Sequence, residues 1–188
     1  MAIVRKYRGK AVVLPTMRAN GAWASVSTNN RRDIPTGGSM GKTSSMGLGL
    51  ALARPDVKVI VFDGDGSLEM NIGSLATIAG KRPKNLYHFV LQNGVYATTG
   101  GQPIPARDKI SFAGMAAAAG YAASYYFDDL EEFSVSAERI LEQEGPVFVC
   151  VRVVPDIRTN QMRGEEAAGP RRTPRQVLQE VKEELAAS

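Results

Sequence analysis

Short apolar runs recur along the chain at residues 11–14, 57–62, 86–91, 122–127 and 147–154. They are continuous rather than alternating, the pattern of strands covered on both faces. Between them, residues 40–53, 68–79, 110–119 and 130–143 carry apolar positions at helical spacing. Such alternation predicts an α/β fold, a three-layer parallel sheet with helices on both faces. Punctuation agrees: Arg54-Pro55-Asp56, Lys81-Arg82-Pro83 and Gly145-Pro146 each stop a helix.

Two segments break the rhythm. Residues 18–37, rich in Asn, Ser, Thr and Arg, predict a long irregular connection, and loops of that length are usually functional or interface-forming. Residues 155–174 are polar, with Pro and Gly, and lead to an amphipathic tail helix over 175–186. Val177, Leu178, Val181 and Leu185 lie on one stripe of that helix, which predicts docking on this domain or on a partner. No repeat and no internal boundary is visible, so residues 1–188 read as one domain with its core at about 11–154.

Composition narrows the class. Of 188 residues, 44% are hydrophobic and 22% charged, as in soluble globular proteins. The basic start (Arg5, Lys6, Arg8, Lys10) is followed by an apolar run far too short for a signal peptide or a membrane span. The expectation is therefore a cytoplasmic protein without a membrane partner. The net charge of +4 is spread over separate pairs (Arg5-Lys6, Arg31-Arg32, Arg171-Arg172) without interleaved aromatics. Nucleic acid wants a denser stripe; a small anionic substrate is compatible with this balance. The one cysteine, Cys150, sits in an apolar run and reads as a buried, inert thiol. It excludes an intrachain disulfide and an all-cysteine iron–sulfur cluster held by this chain alone.

The chemistry concentrates where the second and third runs end. Phe62-Asp63-Gly64-Asp65-Gly66-Ser67 offers a carboxylate in a glycine-rich turn between a strand and a helix, and Gln92-Asn93 offers an amide in the equivalent loop one βαβ step later. Hard oxygen donors suit Mg²⁺, and a helix N-terminus suits a phosphate. Residues 37–43 resemble a Walker A loop and 59–63 a Walker B strand. However, Thr36 stands where that loop needs glycine, and 31–36 is charged and contains Pro35, so the triphosphatase reading fails. Residues 37–50 are better read as a turn and then a helix. Gly47 and Gly49 inside it each cost about 1 kcal/mol against alanine, so either packing or a ligand requires them. His88, inside the run 86–91, reads as a hydrogen-bonded structural histidine.

Gly38-Ser39-Met40-Gly41, Gly64-Asp65-Gly66-Ser67 and Asn93-Gly94-Val95-Tyr96 together resemble the diphosphate-binding module of thiamine diphosphate enzymes. The resemblance covers about residues 11–154 and is nearest to the small (beta) subunit of sulfopyruvate or phosphonopyruvate decarboxylase. It implies that Asp65, the side-chain oxygen of Asn93 and the carbonyl of Val95 bind Mg²⁺. Gly64, Gly66 and Ser67 would present N–H and hydroxyl donors to the diphosphate, the Gly38 carbonyl would accept from the cofactor's 4′-amino group, and Ser39 and Tyr96 would line the cofactor. Met40 would wedge beneath it to hold its two rings in a V, although plain core remains open for that residue. The loop 98–103 is where substrate contacts are expected.

No catalytic residue is expected in this chain. In the family the activating glutamate belongs to a pyrimidine-binding module, which no segment here resembles. Glu69, at the start of the helix after the turn, favours the helix dipole and does not replace it. A pyrimidine-module partner chain is therefore expected, in a hetero-oligomer that decarboxylates a small anionic 2-oxoacid to CO₂ and an aldehyde. A carboligase subunit, a 2-oxoacid oxidoreductase subunit and a non-catalytic binding module stay open as alternatives.

Overall fold

The computed structural model describes residues 1–38, 40–157 and 172–187. Five parallel strands form the central sheet: β1 (Val12–Pro15), β2 (Val59–Gly64), β3 (Leu86–Gln92), β6 (Ala123–Phe127) and β7 (Val147–Arg152), in the order β1-β2-β3-β7-β6. A two-stranded antiparallel hairpin, β4 (Val95–Tyr96) and β5 (Gln102–Pro103), follows β3. The helices are α1 (Ala2–Lys6), α2 (Arg18–Ala24), α3 (Thr43–Ala53), α4 (Asp65–Glu69), α5 (Ser74–Lys81), α6 (Phe112–Ala119), α7 (Leu130–Glu142) and α8 (Pro174–Ala186).

Alternate residues of each strand enter two separate apolar layers. Val12, Leu14, Val59, Val61, Leu86, Val90, Phe148 and Cys150 pack with α3, α5 and α6. Val13, Ile60, Phe62, Tyr87, Phe89, Val147 and Val149 pack with α1, α2 and α7 through Val4, Trp23, Phe133 and Ile140. The expected three-layer architecture is therefore present. Gly47 explains how close α3 lies to the sheet: a Cβ there would fall 2.3 Å from a Val61 methyl. Packing requires that glycine. Gly49 faces open space, and nothing in the structure explains it.

The segment 18–37 is less irregular than expected. α2 occupies Arg18–Ala24, anchored by the buried Trp23, and a 3-10 turn spans Asn30–Arg32. Asp33 and Thr36 then bridge Val13 and Thr16 of the β1 edge in parallel register. This order rests on a buried hub: Asp33 accepts from Arg8 at 2.7 Å and from Trp23 Nε1 at 2.9 Å, and Ser27 Oγ also binds it. The expected helix over 68–79 is two helices, α4 and α5, separated by residues 70–73.

α8 docks on this same chain. Val177 and Val181 are buried in the α3–α5–α6 layer, while Leu178 is 56% exposed and departs from the expected stripe. Its start is a Thr173–Gln176 capping box. Its end meets the 3-10 turn through Arg31–Glu183 (2.8 Å), Arg31–Glu184 (3.1 Å) and Arg32–Glu184 (3.3 Å). Most of the polar stretch before α8, and Ser39, lie outside the described residues. Among the described residues, no helix is long and apolar enough to cross a membrane.

Candidate cofactor and metal site

Parallel strands end on one edge of the sheet, and ligands of such folds sit outside those carboxyl ends. Here β2 ends in the turn that carries Asp65, and β3 ends beside it in Gln92–Val95. Asp65 is the first residue of α4 and only 2% exposed. Its Oδ1 accepts from the N–H of Gly66 at 2.9 Å. Its Oδ2 accepts from the N–H of Asn93 at 2.9 Å and of Gly94 at 2.6 Å. Burial pushes its carboxyl above the ordinary range, against the pull of those N–H groups.

The amide completes the local geometry. Asn93 Oδ1 accepts from the Val95 N–H at 2.9 Å, closing an Asx turn. The Val95 carbonyl accepts from Ala97 at 3.0 Å. Each of these oxygens keeps a second lone pair, so a carboxylate, an amide oxygen and a peptide carbonyl lie within one small loop pair. Among the described residues no group of three His, Cys, Asp or Glu could hold a metal ion. A cation at Asp65 would therefore use amide and carbonyl oxygens and the oxygens of a ligand, the donor set that suits Mg²⁺. A buried carboxylate without a cationic side chain is what such an ion would satisfy.

The other expected residues gather around this pair. The Gly64 N–H donates to Asp63 Oδ1 (2.9 Å) and the Gly66 N–H to Asp65, so both are engaged with carboxylates of this chain. Gly66 also lets the ring of Tyr96 lie against the turn, since a Cβ would fall 2.5 Å from Tyr96 Cε1. Ser67 Oγ accepts from the Gly41 N–H at 3.0 Å, which ties α4 to the loop before α3. Asn71, which the motif reading missed, holds the same loop by donating to the Gly41 carbonyl at 2.8 Å. Gly38 is exposed with φ +85°, a conformation that favours glycine. Met40 is half-buried and belongs to neither apolar layer, which leaves the plain-core reading without support.

Glu69 corrects the sequence reading: it is the last residue of α4 rather than near a helix start. Its Oε2 is buried without a hydrogen-bond partner among the described residues, and burial and then Asp65 raise its carboxyl. The dipole argument does not apply to it. The loop 98–103 is closed on itself by Thr99 and Gln102, and Ile157 lies against Gly101. Cys150 donates to Gln92 Oε1 at 3.1 Å, and burial with the Asp65 charge pushes its thiol up to about 12, so it stays inert. His88 is hydrogen-bonded to Tyr121, as expected of a structural histidine.

Residues 16–151 match the family described as thiamine pyrophosphate enzyme, C-terminal TPP binding domain. The chain is 45% identical over 118 residues to sulfopyruvate decarboxylase subunit beta of Methanothermobacter thermautotrophicus, covering 63% of this chain and 60% of that one. It is 41% identical over 118 residues to phosphonopyruvate decarboxylase of Streptomyces viridochromogenes, covering 63% and 29%. The match thus spans less than two thirds of either relative's length. The structure of benzoylformate decarboxylase from Polynucleobacter necessarius shares the fold, with a TM-score of 0.69 at 19% identity over 84% of this chain and 33% of that one.

Proposed function

We propose that this chain, which belongs to the thiamine pyrophosphate enzymes through their C-terminal TPP-binding domain, is the cofactor-binding subunit of a heteromeric, Mg²⁺-dependent 2-oxoacid decarboxylase. The observation that carries the reading is the contact between Asp65 and the Asn93–Val95 loop at the sheet edge. Relatives named for sulfopyruvate and phosphonopyruvate support a 2-oxoacid with a second anionic group as substrate, converted to CO₂ and an aldehyde. One relative is named as a subunit, which supports a partner chain. So do Met46, Met70 and Ile72, apolar and 37–59% exposed on the elements that flank the site.

Thiamine diphosphate would supply the electron sink when bound; the chain supplies position and electrostatics. Asp65, the Asn93 amide oxygen and the Val95 carbonyl would hold Mg²⁺ against the diphosphate. Gly64, Gly66 and Ser67 form the turn that faces that diphosphate. Gly38 and Met40 would orient the rest of the cofactor from the loop that Ser67 and Asn71 fasten, and Ser39 and Tyr96 would add contacts to it. Met40→Ala should lower turnover more than cofactor affinity, because a wedge acts on shape. Native turnover with poor binding would contradict that role.

The deciding experiment assays the purified chain with sulfopyruvate, phosphonopyruvate and pyruvate, in the presence of Mg²⁺ and cofactor. It is run with and without a coexpressed pyrimidine-module chain. Activity is expected only with the second chain; robust turnover by the pure homomer would refute the shared site.

A further inference from the structure

Beneath the metal turn lies a line of polar side chains that the proposed site does not use. Asp63 and His88 are fully buried, on adjacent strands and on one sheet face, between Val61, Val90 and Phe148. Asp63 Oδ1 accepts from the Gly64 N–H at 2.9 Å. Its Oδ2 faces His88 Nε2 at 3.8 Å, and neither atom has a hydrogen-bond partner among the described residues. On the far side, His88 Nδ1 lies 3.3 Å from the hydroxyl of Tyr121, the residue after the glycine that ends α6.

The order of donors follows from chemistry. Burial, then the charge of Asp63, pushes the Tyr121 phenol upward, so its hydroxyl keeps its proton within hydrogen-bond reach of Nδ1. When that hydroxyl donates to Nδ1, the ring proton sits on Nε2, the nitrogen that faces Asp63. Three polar groups in an apolar layer are costly unless each serves the next, and hydrophobic side chains of like volume would fill the space at no such penalty. What the line touches at its end is the Gly64 peptide, one residue before Asp65.

We propose that Tyr121, His88 and Asp63 form a positioning relay that fixes the Gly64 peptide and, through it, the direction of the Asp65 carboxylate. The relay rests on the reading of Asp65 as a metal ligand. Outer residues that orient a ligand typically carry 10–100-fold in metal affinity.

The test measures amide exchange of Gly64 against Ile60–Phe62 of the same strand, in the full isotope-labelled chain. Calorimetry of thiamine diphosphate with Mg²⁺ on the complex with its partner runs alongside. Tyr121→Phe, which removes one oxygen, and His88→Leu should each speed Gly64 exchange about tenfold while the rest of β2 holds within about twofold. Both should weaken Mg²⁺-dependent binding about tenfold. His88→Gln, whose amide can present an N–H toward Asp63 and an oxygen toward Tyr121, should recover most of both effects. Gly64 exchange that is unchanged, or that rises in step with all of β2, overturns the relay. So does native cofactor affinity in both variants, which leaves the Asp65 reading standing. A wild-type complex that binds neither metal nor cofactor sinks the Asp65 reading instead, and Gly64 exchange then decides the relay alone.

Discussion

Two aspartates in this molecule are almost equally buried, Asp33 at 3% and Asp65 at 2% exposure, and their surroundings could hardly differ more. Asp33 meets the Arg8 guanidinium at 2.7 Å, the Trp23 indole N–H at 2.9 Å and the Ser27 hydroxyl. Arg8 in turn lies over the Trp23 ring and donates to the carbonyls of Ala11 and Asn29. That carboxylate has its counter-charge within the chain. Asp65 has three backbone N–H groups and, among the described residues, no cation, and burial drives its carboxyl upward. A buried charge is stable when paired and hydrogen-bonded. Asp33 is a finished structural element; Asp65 is buried without a counter-charge among the described residues, which is what the proposed Mg²⁺ site would call for.

The largest effect should come from breaking the finished pair. Arg8→Met leaves Asp33 charged and unpaired, and should destabilise the fold by about 3–5 kcal/mol, read from denaturant midpoints. A change under about 1 kcal/mol would show that Trp23 and Ser27 alone suffice.

Asp65→Asn should do the opposite on both axes. The unliganded chain should melt close to wild type, since removing a buried carboxylate without a counter-charge offsets the N–H acceptor that the amide gives up. Mg²⁺-dependent cofactor binding by the complex should fall by at least the roughly 100-fold that even supporting residues can carry. Calorimetry and a thermal melt on the same preparations decide it. A variant that melts lower and binds normally would place Asp65 in the same structural class as Asp33.

The smallest effect concerns carboxylates that are neither buried nor cofactor-facing. Glu183 is held below the ordinary glutamate value of 4.5 by Gln179 and then Arg31, and Glu184 by Asn29 and then Arg32 and Arg31. With the folded values below the unfolded one, their contribution is present above the ordinary range and lost as pH falls through the lowered values. The Arg31 pairs are exposed, and such pairs contribute little. Protection of the α8 amides relative to their intrinsic exchange rates should therefore fall only slightly between pH 6 and pH 3.5, because Val177 and Val181 carry the docking. Complete release of the helix by acid alone would reverse that ranking.

These contrasts also separate what the sequence made legible from what it did not. Strands β2, β3 and β7 announce themselves as unbroken apolar runs, because a strand buried on both faces needs no long-range information to be recognised. Asp65 and Asn93 are legible for a similar reason: the turn and the Asx loop are local, and their spacing is one strand–helix–strand step. The Asp33 hub was illegible because its partners Arg8 and Trp23 come from other elements, so 18–37 read as irregular. α2 buries only Ala19 and Trp23, too few apolar positions to read as a stripe. The break between α4 and α5 escaped notice because the apolar spacing continues across residues 70–73.

The contact between Gly47 and Val61 carries a consequence for how this chain can drift. Valine is stiff about χ1 and cannot swing its methyl aside. An alanine at 47 thus has no room while Val61 stands, and a smaller residue at 61 leaves a void while Gly47 stands. Neither position can wander alone without passing through a weakened protein. The helix that follows the Gly41 loop is thereby locked in step with the strand that ends one residue before Asp65, and the two must vary together or not at all.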